Sequence, residues 1–269
     1  MSDRLIPQRL DATLVLVRHG QSTWVAEGRF QGRADVPLSP LGERQADLVA
    51  GRLGRASAPP ALPVPATPPT ACWHSPLRRA TATAEHIARR QEPQLARIPD
   101  PRLAEIDQGA WQGLTREEVK RRDPQILRGW RGEPAKTHAP GGESLADVAA
   151  RVRPFLAHAL ASLGEATGGA PGATVPSGEP VPGYGADEGR PPWGILVAHD
   201  GVFRVLLLEF LGLPHEAFWR FPFALCGITV LDVRNGRPSL RAHNLVEHLA
   251  PLDAGDAREG SATDRQGAM

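Results

Sequence analysis

Between Thr13 and Val17 the chain is uniformly apolar or β-branched, and it then turns abruptly polar at Arg18-His19-Gly20. A run this short, closed by a glycine, reads as a buried strand that feeds a tight turn. Arg18 and His19 are then held at the carboxyl edge of the strand, where ligand sites of open α/β sheets collect. An arginine fork beside an imidazole suits a phosphate-bearing ligand. Taken alone, the motif fits equally well a strand end that carries two polar residues, so the rest of the chain has to decide.

Elements alternate along the remainder. Ser39-Pro40-Leu41-Gly42-Glu43 opens a helix, with Ser39 as its cap and Pro40 in its first position. Thr70–Trp73 reads as a short strand, followed by a helix from Pro76 to about Arg90 that Ser75 can cap. Thr115 and Glu118 have capping-box spacing at the head of another helix, and Ser144–Leu163 forms a long one. Trp193–Ala198 is an apolar strand and Gly201–Leu211 the helix after it. Asn235-Gly236 joins Cys226–Val233 to Ser239–His243 as a hairpin. This order implies a three-layer α/β/α sandwich with a mainly parallel central sheet.

Two tracts interrupt it. Ala56–Thr70 is rich in alanine and proline, and Gly164–Pro192 in glycine and proline. Neither has the apolar periodicity that repays ordering by burial. Both read as loop insertions, at about 56–70 and 164–192, in one domain covering residues 1–250, with a disordered tail at 251–269.

Composition bounds the class. The 269 residues are 41% hydrophobic and 23% charged, ordinary for a globular chain with a sizeable core. Lysine and arginine number 31 against 30 acidic residues, a balance that argues against nucleic-acid or membrane-surface partners. Cys72 and Cys226 have no metal-ligand spacing and read as buried thiols in apolar strand-like runs. The amino terminus lacks an apolar signal region, and the longest apolar run, Val202–Leu213, is broken by Arg204 and Glu209. A soluble, cytoplasmic protein is the expectation, with a homodimer left open.

A second histidine ends a strand as His19 does: His199 follows Ile-Leu-Val-Ala. A third strand end delivers Arg78 and Arg79, and Leu103–Gly113 places Glu105 and Asp107 among glycines and Trp111. Such groups together suit phosphoryl transfer. A neutral histidine is a competent nucleophile, arginines offset charge on the phosphoryl oxygens, and a carboxylic acid protonates the leaving oxygen. No metal or other cofactor is called for, and the histidines show no ligand spacing.

Arg18-His19-Gly20, Arg79-Ala80-x-x-Thr83-Ala84, Glu105 with Gly109-x-Trp111-x-Gly113, Pro140-Gly141-Gly142-Glu143-Ser144 and His199, in that order, resemble the histidine phosphatase superfamily, which includes the phosphoglycerate mutase-like enzymes. Arg29–Gly32, Asp35–Ser39 and Asn244–Leu249 extend the resemblance over about Leu14 to Leu249. The resemblance implies His19 as the phosphorylated nucleophile, Arg18, Arg79 and His199 as the phosphate pocket, and Glu105 as proton donor. It selects Arg79 over Arg78 and Glu105 over Asp107, and it adds Ser22 and the Gly32 backbone as substrate contacts. Gln21, Val25 and Asp200 depart from it: many members carry glutamate, a pocket asparagine and glycine there. Asp200 reads as the cap of the helix that begins at Gly201. Trp24 and Trp111 are expected at the pocket mouth, and Thr115–Pro140 with Gly164–Pro192 to shape specificity.

The resemblance implies a metal-independent phosphatase acting on a small phosphorylated metabolite. The alternatives are a cofactor-dependent phosphoglycerate mutase and a non-catalytic phosphate-ligand-binding or regulatory module. Only about thirty residues separate Gly113 from Gly142, whereas the mutases tend to carry a longer insertion there.

Overall fold

Successive side chains of an extended strand point to opposite faces, so a strand that is apolar throughout needs cover on both sides. The computed structural model, which describes residues 5–167 and 191–252, supplies that cover. Strand β1 (Ala12–Arg18) is buried along its whole length. Ala12, Leu14 and Leu16 enter one hydrophobic core, whereas Val15 and Val17 enter a second on the other face.

After β1 come a one-turn helix α1 (Thr23–Ala26), α2 (Pro40–Leu53), β2 (Ala71–His74), α3 (Arg78–Arg89) and a short β3 (Arg97–Pro99). Helices α4 (Arg116–Arg122), α5 (Pro124–Gly132) and α6 (Leu145–Thr167) follow, then β4 (Trp193–Ala198) and α7 (Asp200–Leu211). Strands β5 (Ile228–Arg234) and β6 (Arg237–Leu245) close the fold. They form one sheet in the order β3-β2-β4-β1-β5-β6. The first four are parallel, β5 runs antiparallel to β1, and β6 antiparallel to β5. Val49 and Leu53 of α2 with Ala84 and Ile87 of α3 fill the core on one face. Val152 and Phe155 of α6 with Val205 and Leu206 of α7 fill the other. The expected α/β/α layers and mainly parallel sheet are present.

Local signals place most of the boundaries. Ser39 Oγ accepts from Gly42 N at 3.1 Å at the head of α2. Thr115 and Glu118 form the reciprocal capping box of α4. Asn235 and Gly236 both have positive φ, 49° and 72°, as a tight hairpin turn with right-handed strand twist requires.

Three expectations are corrected. The helix after β2 starts at Arg78, with Leu77 at its cap position and no side-chain cap, so Ser75 does not cap it. Cys226 lies outside the strand, at a φ of 53°, although both cysteines are buried free thiols as expected; burial pushes the Cys72 thiol up to about 12. The 56–70 tract holds no helix or strand, yet it is not without burial. Leu62 and Val64 pack into the second core, and Thr67 O accepts from Trp193 Nε1 at 2.7 Å. Isolated apolar side chains anchor a loop without any periodicity. Most of the second tract and residues 253–269 of the tail lie outside the described residues. No helix among the described residues is long and apolar enough to cross a membrane.

The turn after β1 rests directly on α2. A Cβ on Gly42 would lie 1.9 Å from Gln21 O, and one on Gly20 would lie 2.5 Å from Gly42 O. Both obstacles are backbone, so neither can rotate away. Gly42→Ala is expected to destabilise the fold by about 1–3 kcal/mol or more, read as a lower denaturant midpoint at unchanged m-value.

Candidate active site

Strand register assembles the site. Arg18 is paired with Ala198 across β1 and β4, and His19 N donates to Ala198 O at 3.0 Å. On the other side of β4, Ser75 N donates to Val197 O at 2.9 Å. His19, His199 and Ser75 therefore leave three adjacent parallel strands at one carboxyl edge. The turn that follows His19 is held by Ser39 N to Gln21 O (2.8 Å), Gln21 N to Gln45 Oε1 (2.8 Å) and Gly20 N to Thr83 Oγ1 (3.1 Å). Arg18, His19, Arg79, Glu105 and His199 meet there, and none is more than 3% exposed.

His19 has a defined tautomer. Its Nδ1 lies 2.6 Å from Gly20 O, and a carbonyl only accepts, so Nδ1 carries the hydrogen. Its Nε2 is therefore unprotonated, and its lone pair accepts from Arg79 Nε–H at 3.2 Å. Burial, then the charges of Arg79 and Arg18, hold the ring well below the ordinary histidine range, which keeps it neutral. Arg79 is anchored by Ala34 O and Gly32 O, each at 2.8 Å. Burial lowers it to about 10, and it stays cationic at neutral pH. Arg18 donates to Phe223 O at 2.7 Å. Arg79 thus points inward, while Arg78 is exposed.

Glu105 caps α7. Its Oε1 accepts from Val202 N (3.0 Å) and from its neighbour Ile106 N (2.9 Å), and its Oε2 from Gly201 N (3.3 Å). Burial raises its pKa, and Asp200 adds to the rise; Ile106 N–H, Arg79 and Arg18 oppose it without cancelling it. The segment that carries Glu105 is clamped by Arg151 of α6. That guanidinium donates to the carbonyls of Arg102 (2.6 Å), Ala104 (2.8 Å) and Glu105 (3.1 Å). Glu143 holds the guanidinium through two further bonds of 3.0 Å, and also accepts from Asp107 N at 2.9 Å.

His199 sits edge-on to His19, with ring centroids 5.0 Å apart. Its Nε2 lies 2.7 Å from Ser75 Oγ. Burial, then Arg79 and His19, lower its pKa well below the ordinary range. Asp200 is not the cap of α7: His199 holds the cap position, and Asp200 Oδ1 accepts from Arg204 Nε (2.8 Å) and Phe223 N (3.2 Å) in a buried pair.

The remaining positions divide. Gly32 lies beside Arg79 through its carbonyl. Ser22 Oγ is engaged locally, accepting from Val25 N (3.1 Å) and donating to Gln31 Oε1 (2.5 Å). Gln21 Oε1 accepts from Ser39 Oγ at 2.8 Å, and Val25 is fully buried. Asp107 Oδ1 accepts from Gly109 N at 2.8 Å. Trp111 is a core residue, donating to Asp123 Oδ2 at 2.8 Å, and so is not at a pocket mouth, whereas Trp24 is half-buried. Sequence reasoning missed Arg151 altogether. It reached Glu143 only as part of the Gly-Gly-Glu-Ser motif and took Ser75 for a cap. A cavity of about 620 Å³ lined by Leu5, Phe210 and Gly236 opens at the other, amino-terminal edge of the sheet and holds none of these groups.

Two buried guanidiniums and a neutral imidazole with one unprotonated nitrogen are groups that can bind an anion and attack it. Comparisons with known proteins identify the family. The model of the histidine phosphatase superfamily (branch 1) matches residues 14–168 and 187–246. Phosphoserine phosphatase 1 of Hydrogenobacter thermophilus is 31% identical over 239 residues, 88% of this chain and 93% of that one. Glucosyl-3-phosphoglycerate phosphatase of Mycobacterium tuberculosis is 38% identical over 202 residues, 75% and 76% of the two chains. The solved structure of a mycobacterial glucosyl-3-phosphoglycerate phosphatase with inorganic phosphate superposes with a TM-score of 0.68, at 32% identity, over 88% of this chain and 98% of that one.

Proposed function

We propose a phosphohistidine route for this chain, which belongs to the histidine phosphatase superfamily and is a phosphatase. The observation that carries the proposal is the 3.2 Å hydrogen bond from Arg79 Nε–H to the unprotonated Nε2 of His19, which an incoming phosphoryl group displaces. It sets the attacking lone pair beside a cation that binds the phosphoryl oxygens. The phosphoryl group enters between Arg18, Arg79 and His199. His19 Nε2 attacks phosphorus as the ester P–O bond breaks, and Glu105 gives its proton to the departing alkoxide. Its raised pKa suits that task, because a carboxyl that retains its proton at higher pH can act as an acid. The resulting Glu105 carboxylate then takes a proton from water, which attacks phosphorus. The P–N bond breaks, and phosphate leaves with His19 restored. Gly32, through its backbone on Arg79, is taken as a substrate contact; Ser22 supports the same loop through Gln31.

The substrate is a small phosphomonoester. The two named relatives act on phosphoserine and on glucosyl-3-phosphoglycerate, which pair the phosphate with a carboxylate, so such compounds head the test panel. The family match on both sides of the second tract supports reading residues 1–250 as one catalytic domain. The test is phosphate release by the full chain from a panel of phosphomonoesters in EDTA. Free phosphate at a rate that EDTA leaves unchanged is the expected result. No release, or conversion of a phosphoglycerate to its isomer, overturns the hydrolytic reading; loss of rate on chelation overturns metal independence.

A further inference from the structure

The helix cap expected of Ser75 is absent, and its hydroxyl has another use. Ser75 and His199 are both fully buried. Ser75 Oγ lies 2.7 Å from His199 Nε2 and accepts, weakly, from Leu77 N at 3.3 Å. Among the described residues, Nε2 is therefore the acceptor within reach of its single hydrogen. His199 Nδ1 has no hydrogen-bond partner among the described residues. Counting partners selects one arrangement. With the ring hydrogen on Nε2, both the serine hydrogen and the Nδ1 lone pair are orphaned. With the ring hydrogen on Nδ1, serine donates to Nε2 and only Nδ1–H lacks a partner. A buried polar group left unmade is costly, so the second arrangement wins.

We infer that Ser75 is a positioning residue that fixes His199 as its Nδ1–H tautomer, so that this ring offers an N–H donor to an anion. The two histidines then play complementary parts from one tautomer. His19 has its Nδ1–H tied to Gly20 O and presents the Nε2 lone pair, whereas His199 has its Nε2 tied to Ser75 and presents Nδ1–H. Burial, and then the neighbouring Arg79 charge, keep His199 neutral, so the tautomer, not protonation, decides whether it attracts or repels a phosphoryl oxygen. The inference rests on the phosphohistidine reading for its catalytic consequence but not for the tautomer itself.

The experiment combines ring-nitrogen NMR with kinetics. Full-length protein labelled with ¹⁵N-histidine is recorded with and without inorganic phosphate, and His199 is assigned by its loss in His199→Asn. The parent is expected to show protonated Nδ1 and bare Nε2 at His199. Ser75→Ala is expected to lift that preference, so that the Nε2–H ring becomes populated, and to lower kcat by up to the order of 10²-fold, the effect of losing one preorganised donor, with KM little changed. An Nε2–H ring in the parent overturns the inference whether or not the variant folds, and so does a folded Ser75→Ala enzyme with the parent's kcat. A parent with the Nδ1–H ring that releases phosphate from no substrate overturns the phosphatase reading and leaves the Ser75–His199 link standing.

Discussion

His19→Ala is expected to lower phosphate release on the order of 10⁴-fold or more, the largest effect of any single substitution in the site. Covalent catalysis needs the Nε2 lone pair, and no other described neutral nitrogen takes its place: His199 Nε2 faces Ser75. Electrostatic binding by Arg18 and Arg79 survives the substitution, so the variant is expected to bind inorganic phosphate while failing to turn over. Phosphate binding by calorimetry, a thermal melt and a steady-state rate separate these effects. A folded His19→Ala protein that keeps more than a small fraction of the parent rate contradicts the role given to His19.

Glu105→Gln comes second, with an expected loss in kcat of about 10²–10⁴-fold for removal of a general acid. Glutamine keeps an acceptor for Ile106 N–H and Val202 N–H and gives up the longer 3.3 Å bond from Gly201, so α7 keeps most of its cap. Fold and phosphate binding are therefore expected to survive. The loss should be smaller for p-nitrophenyl phosphate, whose phenolate leaves without a proton. The pH profile supplies the sign. The Glu105 pKa is raised in the folded protein, so the acid form that catalysis needs is lost as pH rises through that raised value. The parent's alkaline limb should disappear in the variant. Stability follows the same direction. The protonated, buried carboxyl stabilises the fold most below the unfolded-state pKa, and that contribution fades as pH rises through the folded value. The melting temperature of Glu105→Gln should show less of that fade. An unchanged alkaline limb in Glu105→Gln would assign the titrating acid elsewhere.

What the chain reveals of itself follows the range of each interaction. The strand run before Arg18, the Ser39 cap, the Thr115–Glu118 box and the Asn235-Gly236 turn are legible because each is made within a few residues. The histidine and arginine positions were readable because they sit at strand ends and helix heads that periodicity locates, and the ordered family motifs gave them partners. Contacts across the fold left no local trace. Asp200 has the residue type and place of a cap, yet the cap arrives from Glu105, 97 residues from Val202, and Asp200 is held by Arg204 instead. Ser75 was misread for the same reason, since its partner His199 lies 124 residues away. Arg151 looks like any arginine on a helix surface until α6 packs against the Glu105 segment and gives it three carbonyls.

The most direct test traps the covalent species. Full-length enzyme is mixed with ³²P-labelled substrate, quenched in alkali within the first turnover, digested and mapped. A phosphohistidine route requires an acid-labile, alkali-stable phosphoenzyme on the peptide that contains His19, formed no more slowly than turnover and absent from His19→Ala. Release of free phosphate from an active enzyme that carries no label on that peptide at any time within the turnover, or label on another residue, would contradict it.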